Sequence, residues 1–413
     1  MDERIDIAII GGGLAGLVAA RGAMALGARV IVIEPHDLGG RAQSDTHNGF
    51  VFNRGPHALY VGGEARAVLG QLGIDPVGGR PPGHLAHALA GDDLVPLPAT
   101  ARTLLTSPLL GVRSRLALAR LFNRLPRLEP AAHSHQSVTA WLDDTGLGDD
   151  ARSLVLLLTR VASYSNAPEL MSADVAIMQM QRALSQGVLY VNGGWQRLVD
   201  SLGEGVPVTK ATVLRVTGEG GRVLVETDRE PITASTAIIA AGSPAAASAL
   251  LPDHRGFGVG EPIEACCLDL GTRRRCDPPL VFGLDRPLYL STHGPPADLA
   301  PSGRSVIHVA QYLAPGHDRP ADEDRAELQD LARRAGIGDD DIVTTRFLRR
   351  MTVVGAMPTP DRGGLAGRPP GAVDGHPGVF LAGDWVGPTG FLADASAASA
   401  ALAARAALSL VRA

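Results

Sequence analysis

Lysine is nearly missing from this sequence of 413 residues: among 38 basic side chains only Lys210 is not an arginine. A Walker-type Gly-Lys-Ser/Thr phosphate loop is therefore excluded, and any Schiff base would have to form on Lys210. Cysteine is almost as sparse. Three residues, two of them adjacent at Cys266 and Cys267, cannot make a disulfide framework. The adjacent pair reads as small buried side chains rather than a redox couple, since C-x-x-C spacing is absent. No G-x-S-x-G or H-E-x-x-H sequence occurs, which removes those hydrolase signatures. No run of about 20 apolar residues is available to cross a bilayer, and no leader-like segment precedes the first apolar run. A surplus of one charge is lacking too: 38 basic against 43 acidic side chains leave −5, with no general attraction for nucleic acid. These absences predict a soluble protein of a reducing, cytoplasmic setting, without a nucleic-acid partner.

What is present is a folding composition, 45% apolar and 20% charged, at a length that suits two domains that can interleave. Fifty glycines and thirty prolines make the chain turn-rich without a Gly-X-Y period. The first segment reads strand, turn, helix, strand. Ile5 to Ile10 is an apolar run of the kind a buried parallel strand needs. Leu17 to Leu26 is Ala-rich and helix-compatible, and Gly27 is a stop signal. Val30 to Ile33 forms the second strand and ends at Glu34. Between strand and helix stand Gly11, Gly13 and Gly16, a G-x-G-x-x-G series enclosing Leu14 and Ala15. The first glycine permits a tight turn, the second lets backbone approach a pyrophosphate, and the third lets helix and strand pack closely. The helix start offers N–H groups and a positive dipole end to the diphosphate. Glu34 lies where a carboxylate accepts hydrogen bonds from ribose hydroxyls and repels a 2′-phosphate. A second element, Leu38-Gly39-Gly40-Arg41-Ala42-Gln43-Ser44, is placed to meet the same diphosphate, with Arg41 supplying forked, charge-assisted bonds. No second G-x-G-x-x-G supports a separate NAD(P) site.

Further on, the segment 84–97 reads as a hairpin turning at Gly91-Asp92-Asp93. Residues 101–127 are helical in pieces, and 151–161 and 171–184 are helices. Strands return over 206–216, 222–227 and 236–241, the last leaving through Ala241-Gly242. A strand at 305–312 and a charged helix at 322–335 follow. A short buried strand at 378–382 then leads through Gly383-Asp384 toward Gly390-Phe391-Leu392 and a small-residue helix over 392–411.

Taken together, the series G-x-G-x-x-G…Glu34…Gly39-Gly40-Arg41, the element Tyr190-Val191-Asn192-Gly193-Gly194-Trp195 and the run Val379-Phe380-Leu381-Ala382-Gly383-Asp384-Trp385 carry a resemblance. The chain resembles the superfamily of flavin-dependent amine oxidases, protoporphyrinogen oxidases and phytoene desaturases, over blocks 5–61, 188–245 and 376–410. The resemblance implies an α/β fold: a discontinuous Rossmann-type FAD-binding domain (1–61, 188–261 and 352–413) interleaved with an α+β substrate domain (62–187 and 262–351). It implies noncovalent FAD, since no cysteine lies near the terminal helix. It places Val213 where backbone meets adenine, Asp384 on the ribityl chain, and the helix start at Gly390-Phe391-Leu392 beside the flavin ring. Gly242 and Gly383 fall at the exits of strands in this frame. Two departures stand out. Asn53 replaces an Asp common in the family, and Lys210 falls on the adenine side, so the lysine that many amine oxidases hold near flavin N5 has no counterpart. That weakens amine oxidation and favours carbon–carbon chemistry.

Flavin would carry the redox step, so few catalytic side chains are needed. His57, in Gly55-Pro56-His57-Ala58, matches the segment beside the flavin ring and is the candidate to move a proton. Tyr60, Arg160, Tyr164 and Tyr312 are candidates for the substrate pocket. His84/His87 and His133/His135 lack companions at ligand spacing, so no metal is expected. Residues 101–127 carry Arg102, Arg113, Arg115, Arg120, Arg124 and Arg127 with no acid among them. This reads as the solvated face of a helix, with weak peripheral membrane contact as the other reading. The expected activity is hydride abstraction from an apolar or cyclic small molecule, with oxygen or another acceptor reoxidising the flavin. A flavin amine or amino-acid oxidase, a redox-neutral flavin isomerase and a non-catalytic flavin-binding scaffold remain the alternatives.

Overall fold

A computed structural model describes residues 5–252 and 254–412. Its first sheet grows from the N-terminal apolar run. Ile5–Ile10 lies between Val30–Ile33 and Ile232–Ile239, and all three are parallel. Val208–Thr209 extends the sheet beyond Val30–Ile33, and Val379–Leu381 extends it beyond Ile232–Ile239, again in parallel. Parallel strands are covered on both faces, which is why these segments read as continuous apolar runs rather than alternating ones. Helices Leu14–Ala25 and Ala393–Arg412 cover one face. They meet through small side chains, Ala19, Ala20 and Ala23 against Ala400, Ala403, Ala404 and Ala407, all buried. Small residues at that seam let the two backbones approach, and this is the physical content of the Ala-rich stretches at both ends of the chain.

The expected strand over 206–216 is two elements. Val208–Thr209 joins the parallel edge, while Val213–Glu219 belongs to an antiparallel flank with Arg222–Thr227 and the first half of Ile232–Ile239. The chain leaves one edge and reaches the other through Lys210-Ala211-Thr212, where the Thr212 N–H donates to Asp228 Oδ1 at 2.8 Å.

The second sheet has the order Ile342–Val354, Ile263–Thr272, Ser305–Leu313, Leu288–Gly294, Leu280–Gly283, Ala86–Ala90, Asp93–Pro96. Its long strands are antiparallel, and their side chains alternate between two faces. One face is mostly apolar, with Gln311 and Thr292 among its side chains. Cys266, Leu268, Leu270, Leu290, Ile307 and Val309 pack there against Leu328, Leu331 and Ala332 of helix Ala321–Arg334. The opposite face carries Cys267, Asp269, Tyr289, Ser291, His308 and Tyr312, every one of them buried. Cys266 and Cys267 are therefore buried neighbours that point to opposite sides of one strand. A helical layer that includes Val112–Arg124, Asp149–Ser163 and Ala173–Ser185 has its own core around Leu118, Trp141, Leu154, Val155 and Ile177. Strand Ile342–Val354 continues without a break through residues 351 and 352. It thereby carries the second sheet's edge to Arg41, which reaches the carbonyls of residues 352 and 353.

A methyl group at Gly16 would lie 1.9 Å from the Gly11 carbonyl oxygen, whereas one at Gly22 would meet nothing nearer than Ala404 Cβ at 3.9 Å. Gly16→Ala should therefore lower unfolding stability in urea by about 1–3 kcal/mol through overpacking. Gly22→Ala should leave stability unchanged or raise it by up to about 1 kcal/mol through helix propensity.

Candidate functional site

The site begins where the first strand gives way to the first helix. Gly11 has φ +105°, and a Cβ there would stand 2.4 Å from the Ala240 carbonyl oxygen, so only glycine serves. Gly13, by contrast, has an open side; the nearest atom to a Cβ is the Gly39 oxygen at 4.0 Å. Glu34 is held at both oxygens, by the Gly12 N–H at 2.8 Å and the His36 N–H at 2.9 Å. The Gly39 N–H donates to the Gly12 carbonyl at 2.7 Å, so the two glycine-rich loops lie edge to edge. Leu14 and Ala15 open the helix above them. Val213 packs with Ile33 and Ala211, a few residues beyond Thr209, which registers with Ile33 just before Glu34.

Arg41 and Asp384 join the two ends of the chain. Arg41 Nη1 lies 2.7 Å from Asp384 Oδ2, and Asp384 is 2% exposed. Asp384 raises the Arg41 pKa, against the opposing pull of burial. The same guanidinium donates to the Val353 carbonyl at 3.1 Å and the Gly242 carbonyl at 3.3 Å. Asp384 Oδ2 also accepts the Gly355 N–H at 3.1 Å. Its other oxygen, Oδ1, is buried without a partner among the described residues. A carboxylate oxygen so placed calls for a donor, because an unmet buried acceptor costs about 1–3 kcal/mol. Gly242, at φ +81°, has open space where a side chain would be.

The start of the terminal helix is strained and firmly tied. Gly390 has φ +73° and Leu392, a branched residue, φ +54°. Phe391 between them is fully buried. Arg368 secures this turn: Nη2 donates to the Gly390 carbonyl at 2.8 Å and Nη1 to the Asp384 carbonyl at 3.0 Å. Burial lowers the Arg368 pKa to about 10, opposed by Asp384 and Asp174, which still leaves a buried cation at neutral pH. Nothing in the Gly367-Arg368-Pro369 sequence announces this role. An open glycine edge at a helix start, a fixed carboxylate at the second strand and a buried acceptor awaiting a hydroxyl together fit a dinucleotide with a polyhydroxylated chain.

His57 sits between the halves. Its Nδ1 is 3.0 Å from the Gly55 carbonyl, and its ring lies 4.9 Å from that of Trp195. Asn53 Oδ1 accepts the Trp195 N–H at 2.8 Å and the Ser44 hydroxyl at 2.7 Å. The amide thus supplies the hydrogen-bonding shape without the charge. The Asn53 backbone carbonyl takes a hydrogen bond from Arg346, which also pairs with Asp45 at 2.6 Å.

Beyond His57 lies an aromatic wall. The chain has five tyrosines. Tyr164, Tyr289 and Tyr312 are mutual neighbours, with centroids 5.6 to 6.4 Å apart. Phe282 adds to Tyr289 at 5.5 Å. Tyr60 donates to the Ala162 carbonyl at 3.1 Å and Tyr164 to the Pro56 carbonyl at 2.8 Å, beside His57. Tyr164 is held at φ +62°, a conformation unusual for an aromatic residue. The Tyr312 hydroxyl is buried without a partner. Arg160 is half-buried and spends Nη2 on the carbonyls of Gly283 and Leu284, at 2.9 and 3.0 Å. It ties a helix to the sheet edge and stands electrostatically near Tyr312.

The structure also assembles a group that sequence reading missed. Cys267, Asp269 and His308 place their ligand atoms within 4.8 Å of one another. Asp269 Oδ1 is 2.5 Å from His308 Nδ1 and 3.1 Å from Cys267 Sγ, while Oδ2 takes Arg346 Nε and Nη2 at 2.8 and 2.6 Å. With a guanidinium already on the carboxylate, the set reads as a hydrogen-bonded network rather than a cation cage. Cross-strand register was the missing signal: it sets residues 269, 308 and 346 side by side. Of the histidine pairs noted in the sequence, His87, His133 and His135 bond Leu85, Gln136 and Pro360 respectively. Lys210 is half-exposed and binds Asp37 at 3.2 Å and the His36 carbonyl, at the Glu34 end.

Comparison with known proteins agrees with this layout. The model of flavin-containing amine oxidoreductases matches residues 14–408. A stretch of 100 residues is 35% identical to coproporphyrinogen III oxidase from Propionibacterium freudenreichii subsp. freudenreichii, and covers 22% of this chain and 18% of that enzyme. An oxidoreductase from Methanosarcina mazei superimposes with a TM-score of 0.74 at 17% identity, over 96% of this chain and 99% of that one. Putrescine oxidase bound to putrescine gives 0.72 at 17% identity, over 98% and 99%. Cyclohexylamine oxidase from Brevibacterium oxydans IH-35A gives 0.71 at 17%, over 99% of each. At such identities the structural matches establish the fold. No helix among the described residues is long and apolar enough to cross a membrane.

Two buried groups shift in opposite senses. Burial lowers the His57 pKa from 6.5 to about 4, with the Gly55 carbonyl opposing and His308 and Arg41 assisting. Burial raises the Asp394 pKa from 3.8 to about 6, against the Ala65 N–H and Arg182. Unfolded His57 binds a proton that the folded state refuses, so stability falls as pH drops from 6.5 toward 4. Folded Asp394 keeps a proton that the unfolded state has lost, so stability falls as pH rises from 3.8 toward 6. The two slopes offset each other. His57→Asn should unmask the second, giving a protein whose urea midpoint increases as pH falls from 6 to 4. A profile that follows the parent protein would mean that His57 ionises normally in the fold.

Proposed function

We propose, from the premise that this chain belongs to the family of flavin-containing amine oxidoreductases, that it dehydrogenates an apolar, ring-bearing small molecule. FAD is its cofactor and it is an FAD-dependent oxidoreductase. Bound FAD supplies a two-electron oxidant that accepts hydride at N5. Around it, Glu34 would take the ribose hydroxyls of the adenosine half, with Val213 near adenine. Gly11, Gly13, Gly16 and the first-helix N–H groups, with Gly39, Gly40 and Arg41, would face the diphosphate. Asp384 Oδ1, buried and unpartnered, would accept from a ribityl hydroxyl. Arg368 and the helix start at Gly390-Phe391-Leu392 would stabilise negative charge at the ring end.

The observation that carries the substrate reading is the aromatic wall of Tyr164, Tyr289, Tyr312 and Phe282 beside His57. Such a surface binds flat apolar rings through offset or edge contacts, worth about 0.5–1.5 kcal/mol each beyond burial. The partial identity to a coproporphyrinogen oxidase points the same way. Lysine chemistry next to the ring has no support, since Lys210 sits at the adenosine end. His57, neutral at physiological pH, can accept a proton from the substrate as hydride leaves. Oxygen or another acceptor would complete turnover. A weak contact with an anionic membrane surface is a finer proposal. It rests on Leu105, Val112 and Leu116, which are 50–70% exposed among arginines.

The test begins with the spectrum of the purified protein, which should show bound flavin. Anaerobic titration with a porphyrinogen and with primary amines should then bleach it only with the cyclic tetrapyrrole; bleaching by the amines overturns the reading. Asp384→Ala should weaken FAD binding at least about tenfold, the loss of one charged hydrogen bond. Tyr312→Phe should keep substrate affinity within about threefold and Tyr312→Ala should lose about tenfold, if the ring and not the hydroxyl makes the contact.

A further inference from the structure

The pocket-side face of the second sheet carries a polar row that neither FAD binding nor the aromatic wall requires. Register sets Ser291 opposite His308, His308 opposite Asp269, and Asp269 opposite Arg346. His308, Asp269 and Ser291 are fully buried, as is His293 two positions beyond Ser291. Asp269 only accepts, so His308 Nδ1 must be the donor in their 2.5 Å contact. That fixes the ring and leaves Nε2 facing inward. Nε2 is buried and unpartnered, and so are both nitrogens of His293. The two rings meet edge to face, 4.5 Å between centroids, and His293 stacks on Tyr190 at 3.7 Å. Tyr190 in turn shares a 2.7 Å bond with the Ser291 hydroxyl.

Packing does not explain these choices. Arg346 needs only Asp269 and Asp45 for its charge. Valine at 308 and leucine at 293 would fill such positions without unmet nitrogens, each of which costs about 1–3 kcal/mol. Fully buried imidazoles with free nitrogens in a row are the arrangement expected where a proton has to be held.

We propose that Asp269, His308 and His293 form a proton relay behind the pocket, Asp269 orienting His308 and the two imidazoles holding the proton that a substrate sheds through His57. The proposal rests on the dehydrogenase reading above. In that reaction one C–H bond breaks with its electron pair, as hydride to FAD, which is reduced. A second hydrogen leaves as a proton, and its bonding pair becomes the new π bond of the oxidised substrate. His57 receives the proton and the relay withdraws it from the reacting carbon. The groups facing the imidazoles are Cys267 and Asp269 on one strand, Arg346 on the next and Tyr190 stacked on His293, while His57 acts on His293 electrostatically. Burial first, then His308 and His57, lower the His293 pKa, so His293 is neutral at rest and takes up a proton only when negative charge appears beside it. Asp269 is therefore a positioning residue.

Two measurements decide it. Nitrogen-15 NMR of imidazole-labelled protein, with His308 assigned by its loss in His308→Gln, should find Nδ1 protonated and Nε2 bare near neutral pH. A proton on Nε2 overturns the relay whether or not FAD binds. Potentiometry of the FAD-loaded protein with a chemical reductant needs no substrate. The midpoint potential should fall with pH by about one additional proton per two electrons over part of the range, because negative charge on the reduced ring raises nearby imidazole pKa values. His308→Gln and His293→Gln should each remove that steeper segment, and Asp269→Asn should move it to lower pH. Where His308→Gln does not fold, His293→Gln carries the same reading. Curves that superimpose on the parent overturn the relay, whereas absence of flavin binding would overturn the assigned chemistry instead.

Discussion

The ion pair between Arg41 and Asp384 is the contact on which the rest of the architecture depends. It closes a loop of most of the chain, with one partner two strands into the nucleotide fold and the other at the exit of its last strand. Asp384 is buried, so its charge must be matched; stranding a buried carboxylate costs several kcal/mol. The same guanidinium gathers the carbonyls of Val353 and Gly242, which puts the ends of two further segments around one point. A cofactor held there, as proposed, would inherit a cradle already assembled by the fold, with one Asp384 oxygen left for it.

The second sheet shows how one periodicity divides structure from chemistry. Successive side chains alternate, so Leu268 and Leu270 build the core against helix Ala321–Arg334 while Cys267 and Asp269 lie on the face that carries Tyr289 and Tyr312. Burying Asp269 is tolerable because Arg346, His308 and Cys267 satisfy it from three directions. The apolar face contributes stability, and the polar face spends part of it on groups that a passive wall would not contain. Strain follows the same geography. The positive φ values of Tyr164 and Leu392 lie at the aromatic wall and at the helix start, where neighbouring bonds hold them in place.

Much of this was legible in the residues themselves. The apolar runs at Ile5–Ile10 and Val30–Ile33, the three glycines and Glu34 are local in sequence, and their spacing encodes a tight strand–turn–helix without reference to the rest of the chain. The Asn48-Gly49 hairpin turn, which the sequence reading passed over, has positive φ at both residues. Helices over 149–163 and 173–185 fell within two residues of expectation because their apolar periodicity is local as well. The split of 206–216 was not legible, because Val208–Thr209 and Val213–Glu219 pair with strands on opposite sides of the sheet.

The sequence by itself thus determined the dinucleotide turn, the helix-forming stretches, the alternation within each long strand and the exclusion of lysine and disulfide chemistry. Only the tertiary structure decided that Arg41 meets Asp384, that Arg368 secures the last helix start and that Asp269, His308 and Arg346 form one row. The physical reason is separation. A turn or a helix is fixed by neighbours a few residues away, whereas these contacts join positions tens to hundreds of residues apart, and strand register and domain closure are what bring them together.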